Sequence, residues 1–375
     1  MYLNKKPRKE LVKKRISEEV QFVSFNSLSS AGGISTYIRT IRNGLGQKKP
    51  VLTFRIRGTN KFSTEEICIN AKTFLSEICW LLPKKLKILI DTLNNTVILH
   101  FNPYTFSEIL LLVLCRVFGK KIVITFHGNN LKNNELSLEK IRQTIVYNFS
   151  VLFGNKVIFV NKKQAQNAKK AIIFKKLLQK KKTVINNFVD EKIILKDTKP
   201  FISKTNIIFV GRLTKEKGYD DLMLLAQDKN LQNINFTIVG KRSFDQNILN
   251  RKNIKYYNVV PNNEIFAIYD KNNILILPSY SESFPLVILE AMARGLVVLV
   301  SDISGMREIV KEKRNAYFFS PGDIQEMKKI ILFLKNNPEK IKEISRNNLK
   351  DIKAFTISKQ IFRYVNLYKE LLKEK

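Results

Sequence analysis

Short apolar, β-branched runs recur along the chain, separated by segments whose apolar positions repeat with helical spacing. In the first half the runs are residues 20–25, 97–101, 121–126, 156–160 and 183–185. In the second half they are 206–210, 235–239, 254–259, 274–277, 297–300 and 316–319. Runs that are apolar at successive positions, on both faces, predict buried parallel strands, and a turn and usually a helix follow each. The pattern therefore predicts an α/β protein with two doubly wound, Rossmann-like domains. A polar stretch at 190–204, containing Lys196-Asp197-Thr198-Lys199-Pro200, predicts the linker. The expected division is residues 1–195, residues 196–354 and a terminal segment 355–375. In that segment a helix over 357–373, after a break in the pattern near 347–355, packs back on the first domain.

A chain of 375 residues that is 44% hydrophobic has enough apolar material for two cores. This composition excludes a disordered tail, a collagen-like repeat and a disulfide miniprotein. Cys68, Cys79 and Cys115 share no metal-ligand spacing and are expected to be reduced core residues. The basic N-terminal residues precede no apolar signal-peptide core, and the longest apolar run, 109–115, is too short to span a bilayer. The expected location is cytoplasmic, either free or peripheral on the inner face of the cytoplasmic membrane.

Charge changes the picture most. Lys and Arg number 66 against 32 Asp and Glu, a formal net charge of +34. Lysine dominates and accompanies many Asn and Ile, as an AT-rich coding bias would produce, while the low acidic count speaks for an anionic partner as well. Within 167–182, Ala171, Ile172, Phe174, Leu177 and Leu178 interleave with Lys169, Lys170, Lys175, Lys176, Lys180, Lys181 and Lys182. This predicts a basic amphipathic helix suited either to an anionic membrane surface or to burying one stripe in the core. No nucleic-acid partner is expected, because no aromatic stacking platform or recognised module accompanies the charge.

Candidate chemistry gathers where strands end. Residues 277–295 place a polar loop after a strand, Pro285 for the first helical turn and Gly295 for the helix end, with Glu282 in the loop and Glu290 in the helix. Helical side chains lean toward the N-terminus, so Glu290 is directed back to the mouth that Glu282 lines, where backbone N–H groups near Ser283 and Phe284 are expected to face an anion or hydroxyl. A carboxylate leaving so apolar a helix needs partners, and a vicinal diol supplies two donors. Upstream, Gly211-Arg212-Leu213-Thr214-Lys215-Glu216-Lys217-Gly218 sets Arg212 and Lys217 at another strand end, a diphosphate clamp. In the first half, Gly32-Gly33 follows the first strand and opens a helix, allowing close backbone approach to a ligand. Of the two histidines, His127 stands at a strand end before Gly128, whereas His100 reads as structural. Gly-x-Ser-x-Gly, His-Glu-x-x-His, P-loop and Asp-x-Asp signatures are absent.

These residues resemble the retaining, GT-B-fold nucleotide-sugar glycosyltransferases of the family-four group. The match rests on Glu-x7-Glu at Glu282 and Glu290, on Gly211-Arg212-Leu213 with Lys217-Gly218, and on the segments 185–190, 301–310 and 319–323. It departs from the family's pattern at Met306-Arg307, where a second glycine and a proline are usual, and at Ala316, where glycine is frequent. The resemblance implies that Glu290 holds the donor's ribose and that Arg212 and Lys217 hold the diphosphate. Glu282 with the Ser283–Pro285 backbone would hold the donor sugar hydroxyls, His127 would contact the sugar near the reacting centre, and Gly32 and Gly33 would approach from the opposite domain. It implies a nucleotide sugar, most simply UDP-linked, as substrate, with no metal or other cofactor, because cations and helix dipoles stabilise the departing diphosphate. The implied acceptor is a glycan or lipid-linked glycan of bacterial capsule, O-antigen or lipopolysaccharide. The alternatives are a polyanion- or nucleic-acid-binding protein, or a sugar-nucleotide epimerase or hydrolase on the same fold.

Overall fold

Strands form where the sequence is apolar on both faces. The computed structural model describes residues 13–24, 33–47, 51–55, 66–70, 91, 94–102, 107–128, 138–198, 204–241, 252–261 and 264–373. The chain divides into two units, Met1–Asn186 with Gln360–Lys375, and Asn187–Lys359. Residues 187–195 thus lie in the second unit, where the Leu195 N–H donates to Ala293 O and Arg294 Nη1 to Ile193 O.

The first unit is a seven-stranded sheet, parallel throughout, in the order β3-β2-β1-β4-β5-β6-β7. Its elements are β1 (Val20–Ser24), α1 (Gly33–Leu45), β2 (Val51–Arg55), β3 (Glu66–Asn70), β4 (Ile98–Asn102), α2 (Ser107–Val117), β5 (Lys121–Phe126), α3 (Leu138–Phe153), β6 (Lys156–Phe159), α4 (Lys162–Ala171), α5 (Lys175–Lys181) and β7 (Lys182–Val184). Phe101, Leu112, Ile122, Ile124 and Phe159 are among its fully buried core residues, and Cys115 lies with them, its thiol pushed up to about 12 by burial. Cys68 is in β3, and Cys79 lies outside the described residues.

Two strands depart from the sequence expectation: β2 and β3 are absent from it. Each has a charged residue at one end, Arg55 in β2 and Glu66 in β3, and polar residues at Thr53 and Asn70, so neither carries the two-faced apolar run that marks a central strand.

The basic segment 167–182 also differs from the expectation of one helix. Helix α4 stops as Ile172 turns extended (φ −91°, ψ 126°), α5 starts after Phe174, and Lys182 already belongs to β7. The cause is a tertiary hydrogen bond. Asn148 of α3 accepts the Ile173 N–H at 2.7 Å and donates to Ala171 O at 3.3 Å, which diverts the backbone at the helix end.

The second unit is a six-stranded parallel sheet in the order β10-β9-β8-β11-β12-β13. It contains β8 (Asn206–Val210), α6 (Tyr219–Ala226), β9 (Asn235–Val239), β10 (Ile254–Tyr257), α7 (Ile265–Tyr269), β11 (Ile274–Leu277), α8 (Leu286–Ala293), β12 (Val297–Ser301), β13 (Ala316–Phe319), α9 (Ile324–Asn336) and α10 (Pro338–Asp351). Helix α10 runs on through the expected break at 347–351, with Leu349 buried and Asn348 donating to Leu296 O and Asn315 O.

The last helix, α11 (Ile357–Lys373), contributes its residues from Gln360 onward to the first unit. There Tyr364 meets the Tyr37 hydroxyl at 2.9 Å and Tyr368 meets His100 Nδ1 at 2.6 Å. His100 Nε2 lies 2.7 Å from Thr125 Oγ1, so both ring nitrogens are engaged. Burial holds His100 down to about 3, with the neighbouring His127 adding to the shift. Among the described residues no helix is long and apolar enough to cross a membrane.

Candidate active site

Strands β8 and β11 are neighbours, paired at Ile207↔Ile274 and Ile208↔Leu275, so the loops leaving their carboxyl ends emerge side by side. The two loops are joined directly: the Tyr280 N–H donates to Glu216 O at 2.9 Å, and the Tyr280 hydroxyl donates to Asp221 Oδ2 at 2.8 Å. Gly218 makes the approach possible. Its φ is +69°, and a Cβ there would stand 2.0 Å from Pro278 O.

This junction brings Lys217 Nζ to 2.7 Å from Glu282 Oε1, with both side chains about seven-eighths buried (15% and 13% exposed). Ser279 Oγ donates to the same oxygen at 3.2 Å. The resemblance gives Lys217 to a diphosphate and Glu282 to sugar hydroxyls; in this structure the two also hold each other. The pair places a cation and an acceptor side by side without leaving a net buried charge. Arg212, from the same loop, remains exposed, with Glu216 at 3.8 Å as a loose neighbour, and keeps its fork of donors available for an anion.

The loop then passes through buried Ser283, Phe284 and Pro285 into α8. Phe284 is fastened twice: its carbonyl accepts from Asn187 Nδ2 at 2.8 Å, and its ring packs against Phe355. Pro285 is the residue before the helix, with φ −68° and ψ 123°, rather than part of the first turn as the sequence reading has it, because its extended ψ delays the first helical residue to Leu286.

Glu290 sits in the second turn of α8. The hydroxyl of the fully buried Tyr269 donates to Glu290 Oε2 at 3.1 Å. Burial raises the Glu290 carboxyl to about 6, and the Tyr269 hydrogen bond opposes that rise. Arg212, Lys217, Glu282, Ser283, Phe284, Pro285 and Glu290 therefore belong to two neighbouring strand-end loops and one helix of the second unit.

His127 and Gly33 belong to the first unit, and Gly32 lies outside the described residues. Gly33 is the exposed first residue of α1. His127 follows β5, its Nε2 donating to Asn102 Oδ1 at 2.8 Å, and the Tyr37 ring meets it edge-on at 4.5 Å. Burial holds His127 down to about 3, so at neutral pH it is uncharged and its Nδ1 is the acceptor. The backbone beyond is pinned, since Gly128 O accepts from Gln164 Nε2 and from the Tyr147 hydroxyl. Among the described residues no group of three or more His, Cys, Asp or Glu is placed to hold a metal ion.

Four residues around these positions escape a reading of the sequence: Ser279, Tyr269, Asn187 and Asn102. Ser279 carries a weak signal, since it lies within the loop that holds Glu282. The other three act across 21 to 97 residues of chain, where no local spacing points from one partner to the other.

Residues 190–351 match the family described as glycosyl transferases group 1. A protein of the cps region of Klebsiella pneumoniae is 30% identical over 172 residues, which are 44% of this chain and 46% of that protein, about half its length. An uncharacterized glycosyltransferase of Haemophilus influenzae is 26% identical over 333 residues, 84% of this chain and 89% of that protein. Among solved structures, Anabaena HepE in complex with UDP and glucose superposes with a TM-score of 0.76 at 16% identity, covering 94% of this chain and 99% of that one. The chain thus carries a glycosyl transferases group 1 domain at residues 190–351, and its two parallel-sheet units have the GT-B fold.

Proposed function

We propose that this protein is a retaining glycosyltransferase of family four. It moves a hexose or N-acetylhexosamine from a UDP-sugar to a hydroxyl of a glycan or lipid-linked glycan, in bacterial capsule, O-antigen or lipopolysaccharide synthesis. The observation that carries this reading is the junction of the β8 and β11 loops, which sets Lys217 against Glu282 beneath the exposed Arg212 and leads into the helix bearing Glu290. The choice of UDP is supported by the likeness to a protein bound to UDP and glucose, and the capsule setting by the likeness to a cps-region protein.

In this mechanism the Glu290 carboxylate accepts both ribose hydroxyls. Arg212 forks onto the diphosphate, and Lys217 contributes a charge that Glu282 already orients, so the leaving group's developing charge meets donors that need little rearrangement. Glu282 and the Ser283–Pro285 backbone hold sugar hydroxyls, and neutral His127 accepts from a hydroxyl near the reacting carbon through Nδ1. Gly33, with Gly32, allows close backbone approach to the donor or acceptor. The acceptor oxygen bonds to the anomeric carbon from the face the diphosphate leaves as the sugar–phosphate C–O bond breaks, and its proton passes to the departing phosphate oxygen, which preserves the anomeric configuration. No side chain is assigned as a covalent nucleophile.

Calorimetric titration with UDP, GDP and ADP at physiological salt tests the donor site. UDP is expected to bind selectively, and Glu290→Ala to abolish the binding. Equal binding of all three and of a size-matched polyanion, untouched by Glu290→Ala, would overturn the reading. NMR of the product from an α-linked donor reads the stereochemistry: a β-linked product contradicts retention.

A further inference from the structure

The turn between α4 and α5 shows solvent two large apolar side chains, Ile173 at 77% exposure and Phe174 at 39%. The turn is braced. The Ile173 N–H is held by Asn148 Oδ1 at 2.7 Å, Asn148 Nδ2 donates to Thr144 O and Ala171 O, and the Lys175 and Leu178 N–H groups donate to Ile173 O and Phe174 O. Ile172 before the turn and Leu178 after it are buried in the core. Ile173 and Phe174 are thereby fixed outward between two anchored neighbours, an arrangement that collapse against the protein does not relieve.

On α3, which holds this turn through Asn148, Phe149 and Leu152 are also exposed, at 37% and 41%. Lys181 ties α5 to the same place by donating to the Val151 and Leu152 carbonyls. Around the apolar turn stand Lys169 and Lys170 in the last turn of α4, Lys175 and Lys176 at the start of α5, and Lys180 near its end. None of the five forms an ion pair among the described residues, and between Glu139 and Asp190 the chain contains no Asp or Glu. Cation density here is uncompensated by the local sequence.

We propose that this face docks on the surface of an anionic lipid bilayer. Ile173 and Phe174 enter the boundary between headgroups and acyl chains, and the lysines meet lipid phosphates. Charge alone would suit any polyanion, but a nucleic-acid backbone offers no apolar phase for a braced Ile–Phe pair, whereas a bilayer offers both. The inference rests on the first unit's geometry and holds whichever donor the second unit takes.

Co-sedimentation of the full chain with vesicles of phosphatidylcholine, alone or mixed with phosphatidylglycerol, tests it. The protein is expected to bind the mixed vesicles and not the neutral ones. Ile173→Ser with Phe174→Ser should weaken binding about tenfold at unchanged melting temperature. Lys169→Glu, Lys170→Glu, Lys175→Glu and Lys176→Glu together should abolish it. Lys329→Glu, Lys335→Glu, Lys350→Glu and Lys353→Glu, an equal charge change on α9, α10 and the segment after it, should leave it nearly intact. Full binding by the serine pair, or equal loss in the two lysine sets, overturns the proposal. So does a double-stranded DNA fragment that binds through the same lysines as tightly as the mixed vesicles do. UDP titration of the same variants separates this outcome from failure of the donor site.

Discussion

Glu290 shows how one side chain's surroundings set its chemistry. Its carboxyl is raised to about 6 by burial, a rise that the Tyr269 hydrogen bond opposes, so it is ionised at neutral pH. A ribose diol donates two hydrogen bonds to a carboxylate and at most one to an acid that keeps its own proton. UDP affinity is therefore expected to fall about tenfold per pH unit below 6, and Glu290→Gln to bind weakly at every pH with no such limb, both read by calorimetry. Because the Tyr269 hydroxyl lowers the Glu290 pKa, Tyr269→Phe should move the midpoint upward, weakening binding near pH 6.5 far more than at pH 8. The folded pKa lies above the unfolded value, so this group's linkage costs stability as pH rises from about 4.5 to about 6. Glu290→Gln should accordingly melt higher than the parent at pH 7. In the first unit, Asn102 acts on His127 in a comparable way, fixing its Nε2–H. As a positioning residue, Asn102→Ala should lower kcat about tenfold while leaving UDP affinity unchanged, and Asn102→Asp should restore part of the rate by offering the same acceptor.

At the scale of elements, the site depends on how closely two strand-end loops approach. A methyl group at Gly218 meets the Pro278 carbonyl, which is backbone and cannot swing away, and φ there is +69°. Gly218→Ala is expected to destabilise the second unit by more than about 1 kcal/mol and to abolish UDP binding, because Lys217 and Glu282 part when the loops separate. Gly46→Ala, at a similar φ but with open space around the position, should cost only the backbone penalty and leave UDP binding unchanged. Thermal melting with and without UDP distinguishes the two. The central strands and α11 were legible because their apolar spacing is a local record of burial. Strands β2 and β3 were not legible, since each apolar run is short and interrupted or flanked by polar residues, Thr53 and Arg55 in β2 and Glu66 and Asn70 in β3, a mixed pattern that turns and helices share. The break between α4 and α5 was hidden for a different reason: the lysine-rich stretch has helical spacing throughout, and the group that interrupts it, Asn148, lies on another helix.

For the whole molecule, the notable feature is that the chain crosses twice between its units, leaving the first at residue 186 and returning at 360. The returning helix completes a buried polar network in which Tyr364 and Tyr368 satisfy Tyr37 and His100. Tyr368→Phe leaves the fully buried His100 Nδ1 without its partner and should cost the first unit roughly 1–3 kcal/mol in thermal or denaturant unfolding. The second unit's transition should stay unchanged. His100 and His127, both held near 3 in the fold, are neutral there and charge in the unfolded chain below about 6.5. Their share of the stability is thus present at neutral pH and lost as pH falls from 6.5 toward 3, and His100→Gln should flatten this acid limb.

By itself the amino-acid sequence determined two sets of parallel strands, the proline before α8 and the glycine after it, and the Glu282–Glu290 spacing that led to the glycosyltransferase reading. Each is written in residues near one another, because strand burial, turn conformation and helix phase are local responses to local side chains. Only the tertiary structure decided that Lys217 pairs with Glu282, that Tyr269 tunes Glu290, that Asn102 holds His127, and that Ile173 and Phe174 face solvent between lysines. Those arrangements need strands adjacent in a sheet but distant in the chain. Hydrogen bonds across such a distance follow from sheet order and register, which the spacing of residues along one segment does not encode.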